Sequence, residues 1–241
     1  MPKEYLVIMP TYNEIANLEH STAELFKFNK NVDLLIVDDN SPDGTGALAD
    51  QIAKKNKNVT VLHRQEKSGL GPAYLAGFEF AFKNDFKYVV EMDADSSHRA
   101  ADLPLLIAQS KNADLVIGSR WISGGRVVNW PAYRKAISKF GNWYTRVMLK
   151  TSVRDMTAGF RIYRTEKLLQ IDLPSVKSEG YCFQIEMTKR MAQINGTILE
   201  VPITFVERKY GVSKMSKKIV FEAIYRVTAW GLGAKFRRKG P

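Results

Sequence analysis

Short runs of apolar residues alternate, through the first half of the chain, with longer segments in which apolar residues recur at helical spacing. The runs at 5–9, 32–37, 59–63 and 88–90 predict buried strands, because they are continuous and rich in strand-forming side chains. The segments between them predict helices. Alternation of strand and helix is typical of a doubly wound sheet, so the pattern predicts an α/β fold with a mostly parallel central sheet and helices on both faces.

The second half of the chain continues this alternation with longer polar insertions. We predict helices at 102–110, 181–194 and 219–230 and strands at 114–117 and 198–202. Near the amino terminus, the first strand is expected to stop at Pro10, and Asn13 is a plausible cap for the helix that follows. We see no internal repeat or interdomain linker, so one domain over residues 1–241 is expected.

Two aspartates follow the fourth predicted strand, in the segment MDADSSH. Ligands of open α/β sheets bind at the carboxyl ends of the strands, and Asp93 and Asp95 lie on the same side of an extended segment. They can therefore hold one Mg²⁺ or Mn²⁺ between them, with substrate phosphate oxygens as further ligands. The alternative is that Asp95, Ser96 and Ser97 only cap the helix that begins near Ala101. The spacing alone does not choose between the two.

A second group of acceptors follows the second predicted strand, at Asp38, Asp39, Asn40 and Asp43. Such residues are commonly turn formers. Carboxylates at a strand end also suit ribose hydroxyls, a base edge or a metal better than they suit phosphate. The chain has neither the GxGxxG nor the GxxxxGK[ST] pattern, so any phosphate must be bound by another arrangement.

The net charge of the chain indicates which classes of partner to expect. The 241 residues carry a formal net charge of +11, which favours a polyanionic partner such as nucleic acid, an anionic membrane or phosphorylated substrates. The single cysteine, Cys182, excludes an intramolecular disulfide and favours a reducing compartment. No Cys/His cluster offers a zinc site, and no apolar stretch is long enough to span a bilayer. A soluble or peripheral protein is expected.

The segment near 131–150 is basic and rich in aromatic residues. Its apolar side chains recur at helical spacing: Ile137, Phe140, Tyr144, Val147 and Met148. This pattern predicts a basic amphipathic helix that faces a membrane interface, and the segment near 217–235 is expected to add a second such helix. A helix with a core-facing apolar side and a solvated basic back is the alternative.

Nine segments, in order along nearly the whole chain, carry a resemblance to a known family: PTYNE at Pro10, DDNSPDGTG at Asp38, KSGLGPAY at Lys67, MDADSSH at Met92, GSRWISGG at Gly118, VNWPAYRK at Val128, TAGFR at Thr157, EGYCFQIE at Glu179 and FVERKYGVSKMS at Phe205. Together they resemble the polyprenol-phosphate (dolichol-phosphate) mannose synthases, which are family 2 glycosyltransferases of the GT-A (Rossmann-like) fold. The chain is most similar to the forms without transmembrane segments. The resemblance implies inverting transfer of mannose from GDP-mannose to a polyprenyl (dolichyl-type) monophosphate, with Mg²⁺ or Mn²⁺.

The resemblance also implies roles for individual residues. Those implied at GDP-mannose are Pro10, Tyr12, Asn13, Glu14, Val37, Asp39, Asp43, Asp93, Ala94, Asp95, Arg120, Arg208 and Lys214. Arg120 and Arg134 match the arginines at the acceptor phosphate. Asp93 and Asp95 match the aspartates at the metal, and Ser97 stands where one family member has a glutamine ligand. The catalytic set is thus expected to be Asp93, Asp95, Arg120 and Arg134.

Two other functions remain open from the residues. A UDP-sugar-dependent enzyme of the same fold is one, although the absence of QxxRW and of membrane spans argues against a processive polysaccharide synthase. A basic nucleic-acid-binding module is the other, but no recognisable RNA- or DNA-binding motif is present, so no nucleic acid partner is expected. We expect a peripheral protein on the cytoplasmic face of an anionic membrane, with or without a separate membrane-anchoring subunit.

Overall fold

The computed structural model describes residues 4–208 and 217–237. The strands are β1 (Tyr5–Thr11), β2 (Asp33–Asp38), β3 (Val59–His63), β4 (Tyr88–Glu91), β5 (Leu115–Ser119), β6 (Arg126–Val128), β7 (Arg161–Arg164), β8 (Ile198–Pro202) and β9 (Thr204–Val206). The helices are α1 (Ile15–Phe28), α2 (Thr45–Lys55), α3 (Leu70–Lys83), α4 (Leu103–Ser110), α5 (Ala132–Leu149), α6 (Thr165–Leu168), α7 (Gly180–Gln193) and α8 (Lys217–Arg237). Short 3₁₀ turns lie at Ala100–Asp102 and Leu173–Ser175.

Seven strands form one sheet in the order β3-β2-β1-β4-β7-β5-β8. All neighbouring pairs are parallel except those of β7, which runs antiparallel to β4 and β5. The carboxyl ends of β1, β2, β4 and β5 therefore meet at one edge, and the chain enters β7 from that same edge. The prediction of a mostly parallel α/β sheet is confirmed. A separate parallel pair, β6 and β9, lies beside it.

The two faces of the sheet each carry a hydrophobic core. Leu6 and Ile8 of β1 face the core formed with α3 and α7, whereas Val7 and Met9 face the core formed with α1 and α4. This alternation follows from the two-residue period of a strand, and it confirms the expected helices on both faces. Helix α3 crosses β1 so closely that a Cβ at Gly77 would lie 2.5 Å from the Ile8 side chain, so this glycine sets the depth of the packing.

Two expectations about the first βα connection are wrong. Strand β1 continues through Pro10, which pairs in register with Val37. Pro10 is tolerated because pairing with β4 ends at Ile8, so the side on which Pro10 lacks an N–H has no ladder to complete. Asn13 does not cap α1 either: it has a left-handed φ of 57° and donates its N–H to Ser41 Oγ, and Glu14 precedes the helix.

Candidate functional site

The loop after β4 folds around Asp95. This residue is 4% exposed; its Oδ1 accepts the N–H of Ser97 at 3.0 Å, and its Oδ2 lies 3.1 Å from Arg208 Nη2. The residue before the following 3₁₀ turn is Arg99, and no side chain caps that turn or the helix after it. The capping interpretation of Asp95 is therefore wrong. Its carboxylate points instead toward a cationic partner.

His98 holds the backbone at Asp93. The Asp93 N–H donates to His98 Nδ1 at 3.0 Å, and the buried imidazole stacks on Phe160 with ring centroids 5.1 Å apart. With Nδ1 used as an acceptor, Nε2 carries the remaining proton, 3.9 Å from Asp93 Oδ2. The Asp93 carboxylate itself is about one third exposed, so it stays accessible to a ligand.

The residues of this loop fit a hard divalent cation. The hydroxyl of Ser97 is buried and has no hydrogen-bond partner among the described residues, although the Ser97 N–H bonds Asp95. An unpaired buried oxygen beside a carboxylate is what an oxygen-seeking cation would satisfy. Between residues 4 and 208 and in α8, no group of three or more Asp, Glu, His or Cys side chains could hold a metal. Asp93, Asp95 and Ser97 offer oxygen atoms, which suits Mg²⁺ or Mn²⁺ bound jointly with phosphate oxygens.

The carboxylates after β2 are anchors of the surrounding loops. Asp39 accepts Arg64 Nη1 at 2.6 Å and the N–H of Gly69 at 3.1 Å, so it ties β3 and the start of α3 to the sheet edge. Asp43 accepts from the side chain and N–H of Thr45 and from the N–H of Ile15. Burial would raise the pKa of Asp43, but these hydrogen bonds outweigh it and lower the pKa. The turn-forming interpretation is confirmed, and contact with ribose or base remains a prediction.

The other residues expected at the nucleotide lie along the same edge. Tyr12 follows β1, and the Lys67 ammonium group lies 3.9 Å above its ring, which brings the loop before α3 over the end of β1. Glu14 accepts Asn17 Nδ2 at 2.8 Å. Val37 and Ala94 are buried, and the Ala94 carbonyl accepts the Ser21 hydroxyl at 2.7 Å. The predicted residue Lys214 lies outside the described residues.

Arg120, at the end of β5, is fixed by a carboxylate that the sequence did not single out. Its Nε and Nη2 donate to the two oxygens of Asp155 at 2.8 and 2.7 Å, and both side chains are buried. Burial is the largest influence and lowers the pKa of Arg120, but attraction and hydrogen bonding to Asp155, with smaller contributions from Tyr181 and Asp93, together outweigh it and raise the pKa, so the guanidinium stays charged. Glu200 of β8 accepts the N–H groups of Arg154 and Asp155 and holds this loop in place. Because Nη2 also donates to the Thr157 hydroxyl at 2.8 Å, three guanidinium N–H groups are used internally, and the group keeps one fixed direction.

Arg134, in the first turn of α5, lies over the ring of Trp130, with the guanidinium carbon 4.1 Å from the ring centroid. Its Nη1 forms an ion pair with Glu207 Oε2. The Arg120 guanidinium carbon lies 5.6 Å from the centroid of the same Trp130 ring, so both arginines lie close to one indole group. The structure therefore brings together the two arginines that the resemblance assigns to the acceptor phosphate.

A cavity of about 290 Å³ lies between α5, α7 and α8, and the two arginines stand at its wall. The remaining lining is largely apolar: Trp130, Ile137, Phe140, Tyr144, Ile185, Ala223, Ile224 and Val227, with Ser138, Gly141, Thr145, Thr157 and Tyr181. A ligand that fills it must therefore combine an anionic head with a hydrocarbon body.

The outer face of α5 exposes a continuous apolar stripe. Its members are each more than half exposed: Tyr133, Ile137, Phe140, Trp143 and Val147. Tyr144 does not belong to this stripe, because its hydroxyl bonds Thr228 and its ring packs against the core next to α8. The assignment of Tyr144 to a membrane-facing surface is therefore wrong, since one helical step turns it inward. Helix α8 exposes Phe221 and Tyr225.

Within the described part of the chain, no helix has an apolar run long enough to cross a bilayer. Neither α5 nor α8 is long and apolar enough to cross a bilayer. Their exposed aromatic residues are instead interleaved with cations such as Lys135, Lys139 and Arg226. This composition is typical of helices that lie in an interface.

Comparison with known proteins gives a consistent result. Residues 6–171 match the model of the family described as Glycosyl transferase family 2. An undecaprenyl-phosphate mannosyltransferase from Micrococcus luteus is 51% identical over 231 residues, which cover 96% of this chain and 95% of the relative. A polyprenol monophosphomannose synthase from Mycolicibacterium smegmatis is 48% identical over 235 residues, covering 97% of this chain and 89% of the relative.

The fold also resembles solved structures whose sequence identity to this chain is much lower. A mannosyltransferase from Pyrobaculum calidifontis, solved in complex with GDP-Man and Mn²⁺, superposes with a TM-score of 0.59 at 16% identity. The match covers 100% of this chain but only 65% of that one. At such low identity the likeness concerns the fold alone, and it agrees with the expected GT-A architecture.

Proposed function

The chain belongs to the family 2 glycosyl transferases, and from this premise we propose that it transfers mannose from GDP-mannose to a polyprenyl monophosphate, with a divalent cation as cofactor. Two relatives of about half identity over nearly their whole length carry names for mannosyl transfer to such lipids. A GDP-Man and Mn²⁺ complex of the same fold supports the donor and the cation. The products are polyprenyl β-mannosyl phosphate and GDP.

The observation that carries this proposal is the shape and chemistry of the cavity between α5, α7 and α8. Its lining is apolar, whereas Arg120 and Arg134 supply two guanidinium groups at one side. A phosphate monoester of a long hydrocarbon alcohol has the same two parts. Arginine is suited to such a head group because its planar donors match two phosphate oxygens at once.

The proposed reaction requires little proton transfer by the protein. The second pKa of a phosphate monoester is about 6, so the acceptor is already largely dianionic near neutrality and needs no strong general base. One of its oxygens attacks the anomeric carbon of mannose, and the bond from that carbon to the GDP oxygen breaks with inversion. Negative charge moves from the acceptor to the departing GDP. Arg120 and Arg134 orient the nucleophile on one side of the sugar.

Asp95, Asp93 and the Ser97 hydroxyl are the residues that would hold the cation. When bound, the cation offsets charge that develops on the diphosphate of the leaving GDP. Arg208 lies next to Asp95 and is placed to contact the same phosphates. His98 accepts the Asp93 N–H and so holds the backbone from which the first aspartate extends.

A direct transfer assay tests the proposal. Purified protein receives a polyprenyl phosphate in detergent with radiolabelled GDP-mannose, UDP-glucose or UDP-GlcNAc, and lipid-linked label is extracted and counted. We expect transfer from GDP-mannose in the presence of Mg²⁺ or Mn²⁺. Transfer from a UDP-sugar alone would replace the proposal by the alternative donor class.

The acceptor role of Arg134 gives a selective prediction. Arg134→Ala should raise the KM for polyprenyl phosphate by about 10- to 100-fold, the size of a lost charge-assisted hydrogen bond, and change the KM for GDP-mannose little. Arg134→Lys should rescue poorly because the planar donor pair is lost. Arg126→Ala is the matched control, because Arg126 is exposed on nearby β6 and its side chain donates to the Thr204 hydroxyl. An equal rise in both KM values would move Arg134 to the donor side.

We also propose that α5 and α8 dock on the surface of an anionic membrane, which brings the cavity to the level of the lipid phosphates. The exposed stripe on α5 supplies the apolar contact, and neighbouring lysines and arginines supply electrostatic attraction of about 1 kcal/mol per cation. Because Tyr144 points inward and Phe140 also lines the cavity, the variant that isolates this face is Trp143→Ser combined with Val147→Ser.

This docking should be visible by sedimentation with anionic liposomes. Binding should fall as salt rises, because the Debye length is only about 8 Å at physiological ionic strength. The double variant should bind several-fold less at any salt concentration. Leu169→Ser is the control, since Leu169 is also exposed but follows α6 at the opposite edge of the sheet. If wild-type protein fails to sediment with the liposomes at low salt, a separate membrane partner becomes the better proposal.

A further inference from the structure

Two consecutive residues after β9 reach both halves of the site. Glu207 extends to Arg134 on α5, and Arg208 extends to Asp95 in the loop after β4. The backbone that leads into Glu207 is tied on both sides, because Val206 donates to the Ser97 carbonyl and Glu207 donates to the Val128 carbonyl, each at 3.2 Å. This short segment therefore lies between the cation-binding loop and the helix that carries the acceptor arginine.

Each of the two side chains has the charge of the ligand expected at its position. The Arg208 guanidinium places a positive charge on the carboxylate of Asp95, where a divalent cation is proposed. The Glu207 carboxylate places a negative charge on Arg134, where the acceptor phosphate is proposed. Neither is a freely solvated surface group: the side chains of Arg208 and Glu207 are 20% and 27% exposed. The charges of Asp95 and Arg134 are thus each already paired with a side chain of the protein.

We propose that Glu207 is an internal competitor for the acceptor phosphate at Arg134, and that its release is coupled through Arg208 to cation binding at Asp95. The inference rests on the proposed function, because it takes the phosphate to bind at Arg134. The Glu207 carboxylate occupies Nη1 of Arg134, so a phosphate oxygen cannot take this donor until Glu207 leaves it. A cation and the Arg208 guanidinium likewise compete for Asp95 Oδ2.

The coupling follows from the covalent connection. When a cation takes the Asp95 carboxylate, Arg208 must leave it, and the backbone at Val206, which donates to the Ser97 carbonyl, moves with the cation-binding loop. Glu207 is the next residue on that backbone, so its contact with Arg134 is weakened at the same time. Cation binding therefore strengthens phosphate binding, and by linkage phosphate strengthens cation binding to the same extent.

The test is a binding measurement that needs no turnover. Isothermal titration calorimetry measures the Kd of farnesyl phosphate, a short prenyl monophosphate, with and without Mn²⁺ and without sugar donor. Without Mn²⁺, Glu207→Gln should bind farnesyl phosphate about fivefold more tightly than wild type, the size expected when a partly exposed ion pair no longer competes. Arg208→Gln should also bind it more tightly, because removal of the guanidinium imitates its displacement.

Comparison of the Mn²⁺ effect isolates the coupling. Direct attraction between Mn²⁺ and the phosphate is the same in both proteins, so any excess effect in wild type comes from the release of Glu207. We expect Mn²⁺ to tighten binding clearly more in wild type than in Glu207→Gln. Asp114→Asn is the matched control, since Asp114 forms a comparable partly exposed pair with Arg164 at the other end of β5 and should behave as wild type.

Two outcomes would overturn the inference. If Glu207→Gln binds the probe as wild type does or more weakly, Glu207 supports Arg134 instead of competing for it. If the Mn²⁺ effect is equal in both proteins, the coupling is absent. Failure of the proposed function is a separate result, because it would appear as absent mannose transfer by wild type in the radiolabel assay, whatever the binding ratios are.

Discussion

Asp95→Asn should reduce mannosyl transfer by about 100- to 1000-fold at ordinary Mg²⁺ or Mn²⁺ concentrations, which corresponds to the loss of a few kcal/mol of transition-state stabilisation from the cation. An amide is a much poorer ligand for a hard cation than a carboxylate. The fold should survive, because the side-chain oxygen of asparagine can still accept the Ser97 N–H that Asp95 accepts now.

The measurement pairs the transfer assay with Mn²⁺ binding followed by electron paramagnetic resonance. Asp95→Asn should lose both transfer and Mn²⁺ binding, whereas its thermal unfolding temperature should stay close to that of wild type. Glu24→Gln, a change at an exposed carboxylate in an ion pair with Lys27, should alter none of the three. Full transfer by Asp95→Asn, or by wild type in excess chelator, would reject the assignment of the cation to this loop.

Asp155→Ala should have the largest effect on stability, a loss of about 3–5 kcal/mol in the free energy of unfolding. The change leaves the buried Arg120 guanidinium without the carboxylate that accepts two of its donors. It also removes the acceptor of the Arg120 N–H, which bonds Asp155 at 2.9 Å. An unpaired buried charge costs far more than an ion pair contributes at the surface.

Urea unfolding monitored by circular dichroism measures this loss. Glu24→Ala removes the exposed pair with Lys27 and should cost about 0–1 kcal/mol, which sets the scale for a surface pair. Adding Arg120→Met to Asp155→Ala should recover part of the lost stability, because the orphaned charge is then gone. A loss below about 1 kcal/mol for Asp155→Ala would mean that water or another group solvates Arg120, and that the buried pair does not set its position.

The part of the site that could be predicted from sequence lies where neighbouring residues act together. Asp93 and Asp95 follow directly from a strand end, and their place at the carboxyl edge depends only on the parallel order of the sheet. The partner of Arg120 could not be predicted in this way. Asp155 lies 35 residues further along the chain and reaches Arg120 only because β7 enters the sheet beside β5.

Two of the wrong predictions concern single residues, Tyr144 and Pro10, whose surroundings depend on neighbouring elements. Tyr144 shares the helical period of the exposed stripe closely enough to be assigned to it, yet it lies one step beyond Trp143 and turns toward α8. Pro10 looked like a strand end because proline lacks a ladder donor. Only the point at which pairing with β4 stops, at Ile8, explains why β1 tolerates it. Both depend on neighbours that no local pattern contains.

Trp130 gives the protein an intrinsic optical probe of its own acceptor site. Its indole ring lies 4.1 Å from the Arg134 guanidinium and 5.6 Å from that of Arg120, and indole emission responds to the charges beside the ring. Trp143, on the exposed face of α5, responds instead to apolar surroundings. Emission spectra of the wild type and of variants with each tryptophan replaced in turn therefore distinguish binding of a ligand in the acceptor site from binding of the protein to a lipid surface.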